Sequence, residues 1–551
     1  MIKIIYHGNI DHNTIKHYQY LLCTFVVPYN LNMNKNMIKS IIVMIIIITS
    51  VSNIYAQSVG IGTSTPEQSA ALDINSNNKG FLPPRMSTTE RNAITNKVAG
   101  LMIYNTSTAC AELYNGANWI NLCSSLPSSV LTKTLLGGNQ NDFANNIQQT
   151  ADGGYIIGGA SESSLNGDVT GANKGGTDCW IVKLSATGTI TWNKLLGGSG
   201  YEEVRQIKQT ADGGYIFCAS TESSASGDVI AINKGSFDCW VVKLNANGDT
   251  AWTKLLGGNQ PDFANAIQQT ADGGYILGGY SFSSDTLDVS NVSNGLSDYW
   301  VVKLSATGVV QWDKLLGGAG EEELHDISQT ADGGYIATGS STSSASGNVT
   351  GTIHGIFDFW VIKLNASGTP VWNKLIGGNG EQIARSIQQT SDGGYIVAGK
   401  STSSASGNIT GTNNGLNDFL IVKLDASGNI SWNKLLGGNA DESAYSVKQT
   451  LDSGYIVTGS TASSASGNVT QTSYGFEDMW VVKLNAAGTV EWSKLYGGNE
   501  SDFARSIQQT TDGGYIISGF TMSSANGSVI GTNHGGNDYW ILKLDANGNI
   551  L

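Results

Sequence analysis

The pattern of apolar and polar residues repeats every sixty residues from residue 132 to the end of the chain. In the first copy, apolar runs of strand length cover Phe143–Thr150, Tyr155–Ala160, Cys179–Leu184 and Thr189–Leu196. Turn residues separate these runs, and an Asp-Gly pair between two such runs is a strong hairpin signal. The pattern therefore predicts four β-strands in each copy.

Two residues mark the repeat most clearly, a turn aspartate and a strand tryptophan. The aspartates are Asp152, Asp212, Asp272, Asp332, Asp392, Asp452 and Asp512. The tryptophans are Trp180, Trp240, Trp300, Trp360, Trp480 and Trp540, with Leu420 in the remaining copy. Seven copies without insertion indicate one supersecondary unit that gains stability by stacking on its neighbours.

Four short strands that are apolar on both faces are typical of a β-propeller blade. The last copy has no fourth strand, and a segment similar to that strand, Thr132–Gly138, precedes the first copy. Such an N-terminal strand would complete the last blade, and a closed ring has no exposed strand edges. We therefore predict an all-β protein in which residues 132–551 form a seven-bladed propeller closed by an N-terminal strand.

The first 56 residues have the features of a secretory signal. Lys39 precedes the apolar run Ile41–Ile48, and small and polar residues follow as far as Ala56. The run is shorter than the ~20 apolar residues that span a bilayer, although a short membrane anchor is the alternative. We expect residues 1–56 to combine a mis-called start with a signal peptide. The mature chain then begins near Gln57, has no transmembrane anchor, and is secreted or held at the cell surface.

Residues 57–123 form a separate segment that is predicted to be a small mixed or β module. Gly80–Met86, Gly100–Asn105 and Tyr114–Trp119 resemble motifs in the short modules that open many exported bacterial surface proteins, which are similar to phage tail-fibre segments. The resemblance implies attachment or oligomerisation through this module, and a folded spacer is the alternative. Residues 124–131 are the predicted linker.

The repeats at residues 132–551 resemble the sixty-residue tandem repeats of exported bacterial surface proteins, a group often carried by type IX secretion. That resemblance concerns architecture and export, and it implies no particular activity. Relatives in this group commonly end in a C-terminal sorting domain. Because such a domain is not present here, we expect another export route or a truncated gene.

Composition narrows the classes of partner and the redox chemistry. Charged residues make up 13% of the chain against a typical ~25%, the net charge is −14, and no run of Lys or Arg occurs. Nucleic acid is therefore not an expected partner, because phosphate binding needs clustered cations.

Cys110 and Cys123 flank a predicted hairpin and are expected to form a disulfide in an oxidising compartment. The three cysteines of the repeats, Cys179, Cys218 and Cys239, are expected to be small buried hydrophobes.

One register before the first strand is acidic in six of the seven copies. Its members are Asp142, Glu202, Asp262, Glu322, Gln382, Glu442 and Asp502. If the first strand is innermost, these side chains could form an acidic ring around the mouth of the channel that attracts a cationic ligand. The alternative is that each carboxylate caps a turn by accepting bonds from backbone amides.

Three residues further on, one register varies while its neighbours barely change. Its members are Asn145, Arg205, Asn265, His325, Arg385, Tyr445 and Arg505. Variation at a fixed position indicates either a surface that contacts ligand or one that faces solvent. In an up-and-down blade, this part of the chain shares a face with the long loops between strands two and three, and loops on a rigid scaffold commonly carry binding.

A third register, represented by Asp178, places an aspartate before the third strand in every copy. With Asp168 and loop oxygens it offers hard ligands for Ca²⁺, although the spacing matches no EF-hand loop. A structural role in holding the long loop is the preferred interpretation. We therefore predict no metal site and no cofactor, with Ca²⁺ as the alternative.

Catalytic motifs for nucleophiles, phosphate binding and zinc are not found in the sequence. A glycosidase needs only two carboxylates, and two acidic clusters, Glu321–Glu323 and Asp441–Glu442, break the repeat symmetry. Glu322 and Glu442 are the catalytic candidates within these clusters. The leading hypothesis is a non-enzymatic binding or adhesion protein that recognises a glycan, a protein or a surface through its long-loop face. A secreted carbohydrate-active enzyme such as an endoglucanase, or a structural surface-layer component, are the alternatives.

Overall fold

The computed structural model describes residues 59–61, 72–74, 81–114, 116, 119–122, 131 and 135–551. The predicted signal peptide, most of the predicted linker and Cys123 lie outside these residues. The chain divides into two units between Pro84 and Arg85. In the described part of the chain, no helix is long and apolar enough to cross a membrane.

The N-terminal region contains short strands and one short helix. Val59–Ile61 and Leu72–Ile74 pair in parallel. In the second unit, a four-stranded sheet precedes the repeats, with strands Arg85–Met86, Met102–Asn105, Cys110–Tyr114 and Trp119–Asn121. The helix α1, Thr88–Ala93, begins at a capping box that Ser87 and Glu90 form.

Each sixty-residue copy forms one four-stranded antiparallel sheet, which we call a blade, and blades 1 to 7 follow chain order. The first strands are Asp142–Gln149, Glu202–Gln209, Asp262–Gln269, Glu322–Gln329, Gln382–Gln389, Glu442–Gln449 and Asp502–Gln509. The second strands are Tyr155–Ser161, Tyr215–Thr221, Tyr275–Ser281, Tyr335–Ser341, Tyr395–Ser401, Tyr455–Thr461 and Tyr515–Thr521. The third strands are Asp178–Leu184, Asp238–Leu244, Asp298–Leu304, Asp358–Leu364, Asp418–Leu424, Asp478–Leu484 and Asp538–Leu544. The fourth strands are Ile190–Leu196, Thr250–Leu256, Val310–Leu316, Pro370–Ile376, Ile430–Leu436, Val490–Tyr496 and, for blade 7, Leu135–Leu136.

The turn between the first two strands explains why Asp-Gly-Gly recurs. In blade 1, Gly153 has φ +81, a left-handed conformation that glycine adopts without strain. The Asp152 carboxylate accepts hydrogen bonds from the Gly154 amide and from the Lys183 ammonium group of the third strand, the latter at 2.9 Å. The aspartate therefore ties the turn to the middle of its own blade.

Burial shows how the blades are stabilised. All seven residues of every third strand are buried, whereas the fourth strand Ile190–Leu196 is mostly half-exposed. Each apolar cluster is built from two neighbouring blades, as in the cluster that combines Trp240 of blade 2 with Ile156 of blade 1. The prediction of an all-β fold with repeated four-stranded blades is confirmed.

The first and last blades are in direct contact. Leu135 and Leu136 pair with Trp540 and Tyr539 as the fourth strand of blade 7. The Tyr539 hydroxyl donates to the Trp180 carbonyl oxygen of blade 1 at 2.9 Å. The same kind of bond joins Tyr299 of blade 3 to its neighbouring blade 4.

We expect truncation of the repeated tryptophan to be far more damaging than its replacement by leucine. Trp480 is 1% exposed, packs on Phe419 with ring centroids 4.6 Å apart, and its indole nitrogen has no hydrogen-bond partner. Trp480→Ala should therefore lower the free energy of unfolding by about 3–5 kcal/mol through loss of packing. Trp480→Leu should cost clearly less, because Leu420 occupies this register in blade 5. Urea unfolding followed by circular dichroism tests this, and equal losses in the two variants would contradict it.

Candidate ligand-binding channel

A β-bulge occurs at the same place in every first strand. In blade 1, Ala144 pairs with Gly159 and Asn146 pairs with Gly158, so that Asn145 is the extra, unpaired residue. A bulge of this kind redirects one side chain. The bulge residues are Asn145, Arg205, Asn265, His325, Arg385, Tyr445 and Arg505, which form the variable register of the sequence.

The seven bulge side chains meet around a central channel. They line a cavity of about 570 Å³ together with Phe143, Tyr201, Glu203 and Phe520. They also line a second cavity of about 740 Å³, whose other walls include Lys208, Asp326 and Lys448. The bulge residues therefore form a ring, here called the channel ring, between the two cavities. The structure brings all seven predicted members of this register together.

Neighbouring members of the channel ring contact each other or the adjacent blade. The Arg385 guanidinium lies 3.2 Å from the His325 ring nitrogen Nε2. The Arg505 guanidinium lies over the Tyr445 ring, 4.1 Å from its centroid, at a distance suited to a cation–π contact. The Asn145 amide donates to the Glu203 carboxylate at 2.7 Å.

The channel is cationic in a chain whose net charge is −14. Cationic side chains on the two cavity walls outnumber carboxylates by five to two, the cations being Arg205, Lys208, Arg385, Lys448 and Arg505, and the carboxylates Glu203 and Asp326. A further carboxylate, Glu323, lies 3.8 Å from His325.

The charges in the channel perturb one another. Burial, together with repulsion from Arg385 and Arg205, holds the pKa of His325 well below its ordinary value, so that this imidazole is neutral. Burial lowers the pKa of Lys208 to about 8, and Lys448 contributes to this shift. Burial also lowers the pKa of Arg385. Desolvated cations of this kind are stabilised by an anion that enters the channel.

Aromatic rings flank one side of the smaller cavity. Phe143 meets Phe520 edge to face at 5.0 Å, and Phe503 lies 4.9 Å from the other side of Phe520. At the start of the neighbouring blade 2, Tyr201 donates to Glu203, which also pairs with Arg205 at 3.0 Å. The register of Phe143 and Glu203 differs between copies as much as the channel ring does. This disagreement between the copies could have identified these site residues from the sequence.

The predicted acidic ring does not face the channel. Asp142, Glu202, Asp262, Glu322, Gln382, Glu442 and Asp502 are fully buried. Each accepts a hydrogen bond from the backbone amide of the second glycine in the preceding Gly-Gly pair, as Asp142 does from Gly138 at 2.7 Å. A hydroxyl group at the end of the second strand donates a further hydrogen bond, as the Ser341 hydroxyl does to the Glu322 carboxylate. This placement does not support the ligand-binding interpretation of the register, because these side chains cap the connection between blades.

The two catalytic candidates, Glu322 and Glu442, are also fully buried. Glu322 and Glu442 are each bonded to a glycine amide and to a hydroxyl group, at 2.6–2.7 Å. Neither lines either cavity. A glycosidase acid or nucleophile must reach a sugar, so the placement of these two residues does not support that role.

Pairs of buried carboxylates form where one blade meets the next. A methyl group added at Gly197 would lie within 2.7 Å of both the Asp178 and the Glu202 carboxylates. The Asp178 carboxylate accepts from the Lys174 amide at 2.9 Å, which confirms its predicted role in holding the long loop. Burial and the nearby Glu202 raise the pKa of Asp178 to about 6. Among the described residues, no cluster of three or more His, Cys, Asp or Glu side chains is arranged to hold a metal ion.

The cysteines divide as the sequence suggests. Cys179, Cys218 and Cys239 are free and buried. Cys110 is disulfide-bonded. Because Cys123 lies outside the described residues, its pairing with Cys110 stays a prediction.

Comparisons with known proteins cover parts of the chain. Residues 60–138 match the family described as a phage tail like trimerisation region. The regulatory protein FlaEY of Caulobacter vibrioides is 24% identical over 266 residues, which are 45% of this chain and 28% of that protein. The chain thus spans less than a third of the length of this curated relative.

Solved structures with a similar fold are distant. The WD40 domain of Pan2 from Neurospora crassa is 12% identical, with a TM-score of 0.39, over 72% of this chain and 88% of that one. Hydrazine synthase from Kuenenia stuttgartiensis is 12% identical, with a TM-score of 0.41, over 71% of this chain and 95% of that one. The fold assignment rests on the strand pairings themselves.

Because of these buried carboxylates, we expect the repeats to be more stable at pH 5 than at pH 7.5. Burial raises the pKa of Asp418 to about 6, aided by Glu442, and six other aspartates at these junctions are raised to about the same value. The unfolded pKa is 3.8, so the folded state binds protons more tightly. This contribution to stability is complete below 3.8 and is lost as the pH rises through about 6. The melting temperature of the protein should therefore rise as the pH is lowered from 7.5 to 5.

A substitution that copies blade 5 of the same chain provides the control for this pH dependence. Glu442→Gln introduces the residue type of Gln382, whose amide oxygen already accepts from Gly378 at 2.9 Å. The variant removes one member of the pair with Asp418, and should therefore raise the melting temperature at pH 7.5 and reduce its increase toward pH 5. The aspartates of the turns do not interfere, because Thr270 and Lys303 lower the pKa of Asp272 to about 2 despite partial burial. Higher stability at pH 7.5 than at pH 5 would contradict this prediction.

Proposed function

We propose that the chain is an exported, non-enzymatic β-propeller that binds a ligand in its central channel, from the face that carries the long loops. One observation carries this proposal: the residues that differ between copies converge on one cavity, whereas the residues that repeat build the blades. A propeller-like repeat fold is consistent with a binding or scaffold role. The ring-shaped wall of seven side chains, which are of four residue types, gives a protein with such a role a specific site.

We further propose that the seven blades form a closed ring. Pairing of Leu135–Leu136 with the last strand supports closure. Hydrogen bonds between neighbouring blades also support closure. In each blade, a backbone amide in the turn after the first strand donates to a glutamine side chain of the next blade, as Ala151 of blade 1 does to Gln209 of blade 2. The same bond joins the last blade to the first, because Thr511 of blade 7 donates to Gln149 of blade 1 at 2.9 Å.

The long-loop face has features that suit a macromolecular partner such as a surface protein or glycan. At one register of the loops, four consecutive blades expose large apolar side chains, with exposures of 62, 58, 68 and 71% for Leu296, Ile356, Leu416 and Phe476. Apolar groups grouped on one face are typical of interaction sites. Adhesion through this face is therefore part of the proposal. Secretion, or retention at the cell surface through a type IX or other route, is proposed from the signal-like sequence of residues 1–56 and from the sequence resemblance.

The proposed binding function can be tested with a glycan array and a polysaccharide hydrolysis panel on the same purified protein. We expect binding to a defined group of glycans and no hydrolysis. Glu322→Gln and Glu442→Gln should bind as the parent protein does, because their carboxylates lie inside the blade junctions. Hydrolysis that disappears in either variant would contradict the proposal and favour a carbohydrate-active enzyme. Absence of binding to any glycan or surface protein would also contradict it.

We propose that the N-terminal segment joins three copies of the chain. The match of residues 60–138 to a trimerisation region supports this. Light scattering on the purified protein should give a mass three times that of its single chain. Deletion of residues 57–123 should give single chains with the same circular dichroism signal from the repeats. A monomeric full-length protein would contradict the proposal.

A further inference from the structure

The arginines of the channel ring are short of counter-ions. Arg205 pairs with Glu203, but no ion pair of Arg385 or Arg505 occurs among the described residues. The Arg505 Nε atom is buried and has no hydrogen-bond partner. The Arg385 guanidinium faces a neutral imidazole, His325, and the nearby Glu323 carboxylate acts on it from beyond ion-pair distance. A buried guanidinium without an anionic partner is costly unless a ligand supplies the anion.

The surroundings of these arginines indicate what else the ligand contains. The Phe143 and Phe520 rings line the same cavity as Arg385 and Arg505. Aromatic faces carry partial negative charge and attract C–H groups, whereas a guanidinium binds a planar carboxylate through two parallel hydrogen bonds. The cavity volume of about 570 Å³ falls within the ~300–1,000 Å³ range of small-molecule sites.

We propose that the channel binds the carboxylate of an acidic sugar, a uronic acid residue, through Arg385 and Arg505, with Arg205 at the more exposed edge. The sugar ring lies against Phe143 and Phe520. The Asn265 side-chain oxygen and the Tyr445 hydroxyl are within the same wall to bond its hydroxyl groups, while the Asn265 amide nitrogen donates to the Leu324 carbonyl oxygen. The Glu203 carboxylate is already engaged by Arg205, Tyr201 and Asn145. This inference rests on the proposed ligand-binding function and specifies the chemical class of its ligand.

The test compares four probes by isothermal titration calorimetry on the purified full chain. The probes are digalacturonic acid, the neutral galactose disaccharide, inorganic sulfate, and a short peptide with a free C-terminal carboxylate. We expect digalacturonic acid to bind at least about tenfold more tightly than each of the others. We also expect its affinity to fall as the salt concentration rises, because the interaction is partly ionic.

Two variants identify the site. Arg385→Met and Arg505→Met keep an unbranched apolar stem but remove the guanidinium, and each should weaken digalacturonic acid binding at least about tenfold. Lys254→Met removes one positive charge from an exposed position on a fourth strand, outside the cavity walls, and should change the affinity less than about twofold. Circular dichroism verifies folding. Should an arginine variant fail to fold, Arg205→Met, whose side chain is 42% exposed, replaces it.

The outcomes separate this inference from the broader function. Equal affinity for the neutral disaccharide, with no effect of the arginine variants, would overturn the acidic-sugar site while leaving a glycan-binding function intact. Tighter binding of the peptide, or binding of sulfate alone, would also overturn it. If none of the probes binds, and the protein binds neither a glycan on the array nor a surface protein, both the inference and the proposed function are wrong.

Discussion

Every blade is a thin sheet that is apolar on both faces, and the remaining features of the repeats depend on this constraint. Such a sheet is stable only between two similar sheets, because a face left in water loses the burial that stabilises it. The third strands, buried along their whole length, show this two-sided packing directly. The same requirement brings blade 1 against blade 7, where Trp180 and Tyr539 belong to one apolar cluster.

Stacking of two-sided sheets leaves the first strand of each blade as the wall of a channel, and the bulge determines which side chain enters it. Space at the bulge is tight. A methyl group added to Gly159 would lie 1.9 Å from the Phe143 carbonyl oxygen, so this position requires a very small residue. Ala219 is the one exception among the copies. The fold therefore restricts the residue type at the glycine position, whereas it accepts different side chains at the bulge residue opposite. The channel ring can vary between blades for this reason, without a change in how the blades pack.

The sequence predicts the blade well and the site only in part. Strand bounds in blade 1 agree within one residue, because Asp-Gly turns and apolar runs are local signals. The position of the Asp142 side chain in the folded protein cannot be predicted from the local sequence. It depends on how the Gly-Gly connection folds back and presents its amides, and the bulge changes the alternation of the strand beyond it. The cationic character of the channel also escapes composition, since Arg205, Arg385 and Arg505 are 120 or more residues apart and form no charged run.

Net charge and site charge have opposite signs in this protein, and the two are physically separate. Several of the chain's carboxylates are buried in pairs at the blade junctions, and others are paired with lysines at the turns, as Asp152 is with Lys183. Charges on the outer surface act over a Debye length of about 8 Å at physiological salt, whereas charges inside a narrow channel are screened much less. A ligand in the channel therefore responds to the guanidinium groups around it and only weakly to the acidic exterior. A protein with a net charge of −14 can in this way present a binding site for a small anion.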